Sequence, residues 1–204
     1  MSTLPTPESS LTGVSVPARF SIEQFDEMVA SGVLSGKDDK RYQLFRGEIQ
    51  YMTPPNPLHD DVLILLNNWA FTTISTAEPK LTQPVQIRNQ ASMALRPGNS
   101  VVIPDLVLAS DRDYSVERPE GTDVLLVIEV SDSSRNFDLH EKCELYAQSG
   151  VKEYWVIDIP NRCIIVHRSP AGNRYGSIQT IDEQTEIQPE AVPAIGLQAS
   201  ILFR

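Results

Sequence analysis

One stretch, DVLLVIEV at Asp123–Val130, constrains the fold of this chain more than any other. It is apolar almost without a break, where a strand with one wet face would alternate. It therefore predicts a central strand covered on both faces, and with it a sheet that carries helices. Just downstream, DLHEKCELYAQSGV reads as a helix, with Asp138 as its cap, Glu141 behind it and Gly150 as its stop. VKEYWVID is a second buried strand. A helix linking two such strands predicts parallel pairing of 124–130 with 153–158 and a right-handed crossover.

The remaining chain supplies the flanks. SIEQFDEMVASGVLSG predicts an opening helix, with Ser21 and Gln24 as a capping box, Phe25, Met28, Val29 and Val33 at helical spacing, and Gly36 near its stop. RYQLFRGEIQYM predicts a hairpin about Arg46-Gly47, after which Pro54, Pro55 and Pro57 break regular structure. From His59 a helix buries Val62, Leu65, Leu66, Trp69 and Ile74. LTQPVQIRN and SVVIPDLVLA predict two strands separated by an RPGNS turn. RCIIVHRS pairs back on 153–158 across Pro160-Asn161, and from Arg174 onward short strands lead into a Pro-broken tail. Residues 1–18, rich in Ser, Thr and Pro, read as a flexible leader, and 19–204 as a single α/β domain.

Composition removes several classes. No apolar run approaches the roughly 20 residues that span a bilayer, and the N-terminus lacks the basic start and apolar block of a secretory signal. Cys143 and Cys163 have no CxxC or Cys/His company, which predicts free thiols in a reducing cytoplasm. The net charge of −10 opposes tight, non-specific binding to nucleic-acid phosphates unless a basic patch or bound cations compensate. No GxSxG elbow, HExxH or phosphate-cradling glycine loop supports a small-molecule hydrolase.

Three residues stand out against this background. Glu129 lies near the end of the apolar strand, where an unpaired carboxylate costs several kcal/mol or takes up a proton. Either it emerges at the sheet edge onto a loop amide, or a ligand compensates it; α/β sheets place ligands at such strand ends. Asp105 follows Pro104 inside VVIPDLVLA, and Pro marks an edge, a strand start or a bulge that would re-aim Asp105. Lys142 lies one helical turn beyond Asp138, with Tyr146 at the next such step. Alone it reads as a solvated partner of Asp138 or Glu141; beside a short crossover it reaches a site shared with Glu129. Two hard acids and a lysine at one sheet edge fit Mg²⁺- or Mn²⁺-dependent phosphodiester hydrolysis.

The segments IPDLVLAS, LLVIEVSDSS and DLHEKCELYAQSGVKEYWVID, with RYQLFRGEI and the His59 helix before them, resemble the Uma-type endonuclease family of the PD-(D/E)XK nucleases. The resemblance runs over about residues 20–204. It implies a restriction-endonuclease-like fold, a mixed central β-sheet flanked by helices, with Pro104-Asp105 and Glu129 as the signature acids. It further implies Mg²⁺ (or Mn²⁺) held by Asp105, Glu129 and Val130, the last having only its main chain to offer. Where the superfamily carries a lysine two residues after the second acid, this chain has Ser131; members of this type carry it on the following helix, where Lys142 stands. Glu48 is a candidate outer metal ligand or a turn acid, and His59 a water- or phosphate-contacting group or a helix-start residue. A DNA-cleaving enzyme, expected as a homodimer, would gather Arg41, Arg46, Arg88, Arg96 and Arg135 around the acids. A non-catalytic binding or regulatory module on the same fold would scatter them.

Overall fold

The predicted central strand occupies the middle of the molecule. In the computed structural model, which describes residues 17–34, 41–77 and 81–203, β7 (Val124–Ser131) is buried at all eight positions. On one side it pairs antiparallel with β6 (Leu106–Ser110), and on the other parallel with β8 (Glu153–Asp158). β3 (Val85–Asn89) extends the sheet beyond β6, while β9 (Cys163–Ala171) and β10 (Arg174–Asp182) extend it beyond β8, giving the order β10-β9-β8-β7-β6-β3. Both faces are covered. On one, α2 (Pro57–Ala77) sets Val62, Leu66, Trp69 and Ile74 against Leu126, Ile128, Trp155 and Ile157. On the other, α4 (Cys143–Gln148) sets Leu145 and Tyr146 against Val127, Tyr154 and Val156. Each large apolar side chain so buried contributes about 1.5–3 kcal/mol relative to exposure.

A second, four-stranded sheet has the order β2 (Glu48–Met52), β1 (Arg41–Phe45), β5 (Ser100–Val102), β4 (Met93–Leu95). The β1–β2 turn takes two residues, Arg46 at φ 50° and Gly47 at φ 82°, the left-handed pair that a tight hairpin needs. Helix α1 (Ile22–Ala30) closes this sheet by packing Ile22 and Phe25 on Leu44, Ala94 and Val101. A last pair, β11 (Glu186–Ile187) and β12 (Leu197–Gln198), precedes the C-terminal residues, whose Leu202 joins the α2 side of the core.

Several expectations change. The capping box at Ser21 and Gln24 forms, but α1 stops at Ala30; Gly32, at φ 79°, turns the chain, and Val29 and Val33 are exposed. Gly36 and leader residues 1–16 lie outside the described residues. SVVIPDLVLA is two strands rather than one. Pro104 has no N–H to continue a ladder, so β5 ends in the small sheet and β6 starts in the large one. β4, of three residues, is too short to show a period. β10, expected to be short, runs nine residues because β9 templates eight of its pairs. The crossover helix begins at Arg135, not Asp138: α3 (Arg135–Phe137) leads into a π turn (Asp138–Lys142) and then α4. Asp138 is therefore no cap but an interior residue, 1% exposed.

The end of α4 is seated on the turn that launches β7. A methyl group on Gly121 would stand 2.1 Å from the Ser149 carbonyl oxygen, so the backbone of one must yield. Gly121→Ala is expected to lower stability by about 1–3 kcal/mol, as overpacking does. Urea unfolding measures it, and an unchanged midpoint would contradict this contact.

Candidate active site

Unequal pairing on the two edges of β7 creates the site. The ladder with β6 ends at Leu106↔Ile128, while the ladder with β8 continues to Ser131↔Asp158. Beyond Ile128 the β6-side edge of β7 therefore has no strand against it. Asp105, the residue just before β6, fills the gap with its side chain: Oδ2 accepts the Val130 N–H at 2.8 Å. A strand residue turns its N–H and C=O to the same edge, so the Val130 carbonyl faces this opening too. Glu129 and Ser131 share the opposite pleat, toward the π turn.

Lys142 completes the group. Its Nζ lies 3.0 Å from Glu129 Oε1 and 3.0 Å from Asp138 Oδ1. Asp138 is itself held through Oδ2 by the hydroxyls of Ser131, at 2.8 Å, and Ser134. Ser131, two residues after Glu129, thus anchors the acid that pairs with Lys142. Tyr146, fully buried, donates its hydroxyl to Glu129 Oε1 at 2.6 Å. It serves the core and the site together.

His59 arrives from the first turn of α2. Its N–H is capped by Asn56 Oδ1 at 3.0 Å, and Asn56 in turn donates to Asp132 at 2.6 Å. This sets His59 Nε2 3.2 Å from Asp105 Oδ2. Asp105, Glu129, Val130, Lys142 and His59 all line one cleft of about 700 Å³. Glu48 does not; it sits beside the hairpin turn, 3.5 Å from Arg19. Of the five arginines expected near the acids, Arg41 alone lines the cleft. Arg46 pairs with Glu144, Arg96 with Glu120 and Glu23, and Arg135 with Asp158, while Arg88 lies over the Tyr114 ring. Two glutamines of the cleft wall, Gln43 and Gln50, were missed, because polar residues alternating in a hairpin give no signal of which face is covered.

Charge in the cleft follows from burial and neighbours. Burial pushes the Glu129 carboxyl up to about 7; Lys142 opposes this, while Asp105 and Asp138 reinforce it. Burial would lower the Lys142 ammonium, but Glu129, Asp138 and Asp105 outweigh it and hold the group charged. Burial likewise opposes ionisation of Asp105, yet the His59 bond and charge, Lys142 and the Val130 N–H keep its carboxyl below the usual range. His59 is desolvated but raised by the bond and charge of Asp105, with Asp60 and Glu129 adding to it.

Among the described residues no hydrogen bond reaches Asp105 Oδ1 or Glu129 Oε2. Two carboxylates with uncommitted oxygens, beside an edge carbonyl, form a hard-oxygen donor set. No cluster of three or more His, Cys, Asp or Glu side chains arranged for a metal occurs among the described residues. Mg²⁺ needs none, since it keeps several waters and takes one or two carboxylates. The residues present fit such an ion.

Two expected outcomes follow. Lys142→Met leaves two buried acids, Glu129 and Asp138, without their cation and should cost about 3–5 kcal/mol. Glu129→Gln keeps an acceptor for Tyr146 and removes one acid from an over-acidic group, so it should cost little. Its effect should depend on pH with a definite sign. A folded value near 7, above the unfolded 4.5, means the folded wild type binds more protons between those limits and loses stability as pH rises through them. Relative to wild type, Glu129→Gln should therefore melt progressively higher from pH 5 to pH 8. A difference in melting temperature that stays flat over that range would contradict the charge balance described.

A family model described as "Uma2: Putative restriction endonuclease" matches residues 22–201. A solved structure, described as that of "a putative nuclease belonging to DUF820 from Anabaena variabilis ATCC 29413", superposes with a TM-score of 0.64 at 12% sequence identity. It covers 90% of this chain and 97% of its own. No curated protein matches. At that identity the superposition speaks for the fold, a restriction-endonuclease-like mixed sheet flanked by helices, and the family match covers nearly all of it. The chain belongs to the Uma2 family of restriction-endonuclease-like proteins.

Proposed function

We propose that this protein is a Mg²⁺- or Mn²⁺-dependent nuclease that hydrolyses phosphodiester bonds of DNA in the cleft at the end of β7. The observation that carries the reading is the convergence of Asp105, Glu129 and Lys142, from three separate elements, on that one cleft. Asp105, Glu129 and the Val130 carbonyl would hold the ion, which when bound polarises a phosphate and makes a water a stronger nucleophile. Lys142, kept charged in a dry position, orients that water or offsets charge gathering on the phosphate oxygens. Tyr146 and Lys142 together fix the Glu129 carboxylate. His59, held by Asp105, stands where it can contact the water or a phosphate oxygen. One water is consumed: its oxygen bonds to phosphorus, the P–O ester bond breaks, and the departing oxygen takes a proton. The two free thiols fit a cytoplasmic setting, and a homodimer would cut two strands.

A second reading, a non-catalytic binding or regulatory module on the same fold, draws on the scattered arginines. Three of the five are neutralised by acids outside the cleft, which leaves little basic surface for a phosphate backbone.

Calorimetric titration of Mn²⁺ or Mg²⁺, alongside cleavage of plasmid and single-stranded DNA, separates the two. Wild type should bind the ion and cleave. Asp105→Ala should lose binding by about 100-fold or more and lose cleavage, while the protein still folds, its stability lowered by about the 1–3 kcal/mol that the unsatisfied Val130 N–H costs. Ion binding that survives in Asp105→Ala removes that residue from the metal site. A wild type that binds no ion, even with DNA present, sinks the catalytic reading and leaves the module.

A further inference from the structure

The wall of the cleft opposite the acids is a built surface that the hydrolytic chemistry leaves unused. It is one face of the β1–β2 hairpin. The register sets Arg41 opposite Met52 and Gln43 opposite Gln50, and all four line the cleft. Gln43 is 6% exposed, and its Nε2 donates to Gln50 Oε1 at 3.0 Å. That single bond leaves Gln43 Oε1 buried without a partner, which is rare for a buried acceptor, and leaves Gln50 Nε2 with no hydrogen-bond acceptor among the described residues. If both amides turn over together, the bond reverses direction and Gln50 offers an acceptor to the cleft instead of a donor. Gln43 thus holds Gln50 in place while leaving its polarity adjustable.

A side-chain amide with paired donor and acceptor matches the edge of a nucleobase, as glutamine does with adenine. Met52 beside it, and Ile103 and Phe137 elsewhere in the lining, offer apolar contact to a base face. The electrostatics point the same way. Lys142 is committed to Glu129 and Asp138, so the charge of the lining left to meet a phosphate is that of Arg41, which its bond to the neutral Gln90 at 2.9 Å does not cancel. The chain as a whole carries −10. Affinity for a nucleic acid must then draw on its bases as well as its phosphates. In a duplex those edges are stacked and paired, and a cleft of about 700 Å³ is the size of a pocket for one small ligand. Unpaired bases can be splayed into such a pocket.

We propose that the substrate of this cleft is single-stranded or locally unpaired nucleic acid, with one base read by Gln50 and Gln50 held by Gln43. The inference rests on reading the cleft as a nucleic-acid site, and its test uses binding so that the two stand or fall separately.

Fluorescence anisotropy with labelled strands of about 12 nucleotides, within the usual single-strand site sizes, is run with Ca²⁺ in place of Mg²⁺. Three probes of one backbone length are compared: a single strand, its duplex, and a strand with several bases deleted to abasic sugars. Wild type should bind the single strand at least about tenfold more tightly than the other two, a base contact being of that order. Gln50→Leu should bind the intact strand as weakly as wild type binds the abasic one, and should not respond to base deletion. Gln50→Glu, an acceptor only, should prefer a strand with guanine at the bound position, whose N1–H and amino group both donate to one carboxylate, over a strand with thymine there, whose single N3–H lies between two carbonyls. A purely structural residue would produce no such shift. Equal affinity for duplex and single strand, a Gln50→Leu protein as sensitive to base deletion as wild type, or no binding of any strand overturns the inference. The predicted pattern without cleavage in Mg²⁺ leaves it standing and overturns the nuclease reading; equally fast cleavage of duplex does the reverse.

Discussion

The ammonium of Lys142, 3.0 Å from Glu129 and 3.0 Å from Asp138, is the contact on which the site and much of the crossover depend. β7 sits between two apolar layers, and a carboxylate there must be compensated or protonated. Lys142 supplies the compensation from the π turn. In doing so it fixes the depth at which the crossover enters the core, and with it the placement of Leu145 and Tyr146 on the strands. Asp138 and Lys142, at either end of the π turn, face the sheet together, where Ser131 and Ser134 hold the acid and Glu129 receives the ammonium. Such turns recur at functional sites because they trade regular geometry for side-chain placement.

A second constraint comes from Pro104. It ends one sheet and starts the other, and β6 begins too late to cover the last residues of β7. The uncovered edge would be a liability if left bare. Asp105 satisfies the Val130 N–H and, in the same geometry, brings a carboxylate beside Glu129. Strand termination and donor placement are thus a single event. It yields two acids in one cleft with different protonation behaviour: Asp105 ionised by His59, Lys142 and Val130, Glu129 poised near neutrality by burial.

Much of this was legible from single residues set against their surroundings. Glu129 inside an apolar run and Asp105 behind a proline each broke a local pattern, Lys142 drew notice only through the short crossover beside Glu129, and the parallel β7–β8 pairing followed from the helix between two buried strands. What was not legible depended on contacts distant in sequence. Asp138 carries every local mark of a cap, and only the serines of the β7 end and the following turn make it an interior anchor. The split of SVVIPDLVLA between two sheets depends on β1 and β4 flanking its first half, one on each edge. Gln43 and Gln50 look like ordinary hairpin polars until the hairpin is laid over the cleft. Glu48 and four of the five arginines, all but Arg41, fell the other way: correct residue types for the chemistry, carried elsewhere by the backbone.

Taken together, the fold gathers buried, unlike charges along one cleft of a chain whose net charge is −10, an arrangement suited to a bound cation. In the proposed site Asp105 and Glu129 share one divalent ion at the open edge of β7. An anomalous difference map from crystals soaked in Mn²⁺ tests this directly. One peak is expected about 2.0–2.4 Å from a carboxylate oxygen of each residue, distances usual for a hard divalent ion. Lys142 should remain on Asp138. No peak in the cleft, or an ion bound away from both acids with Lys142 still paired to Glu129, would contradict it.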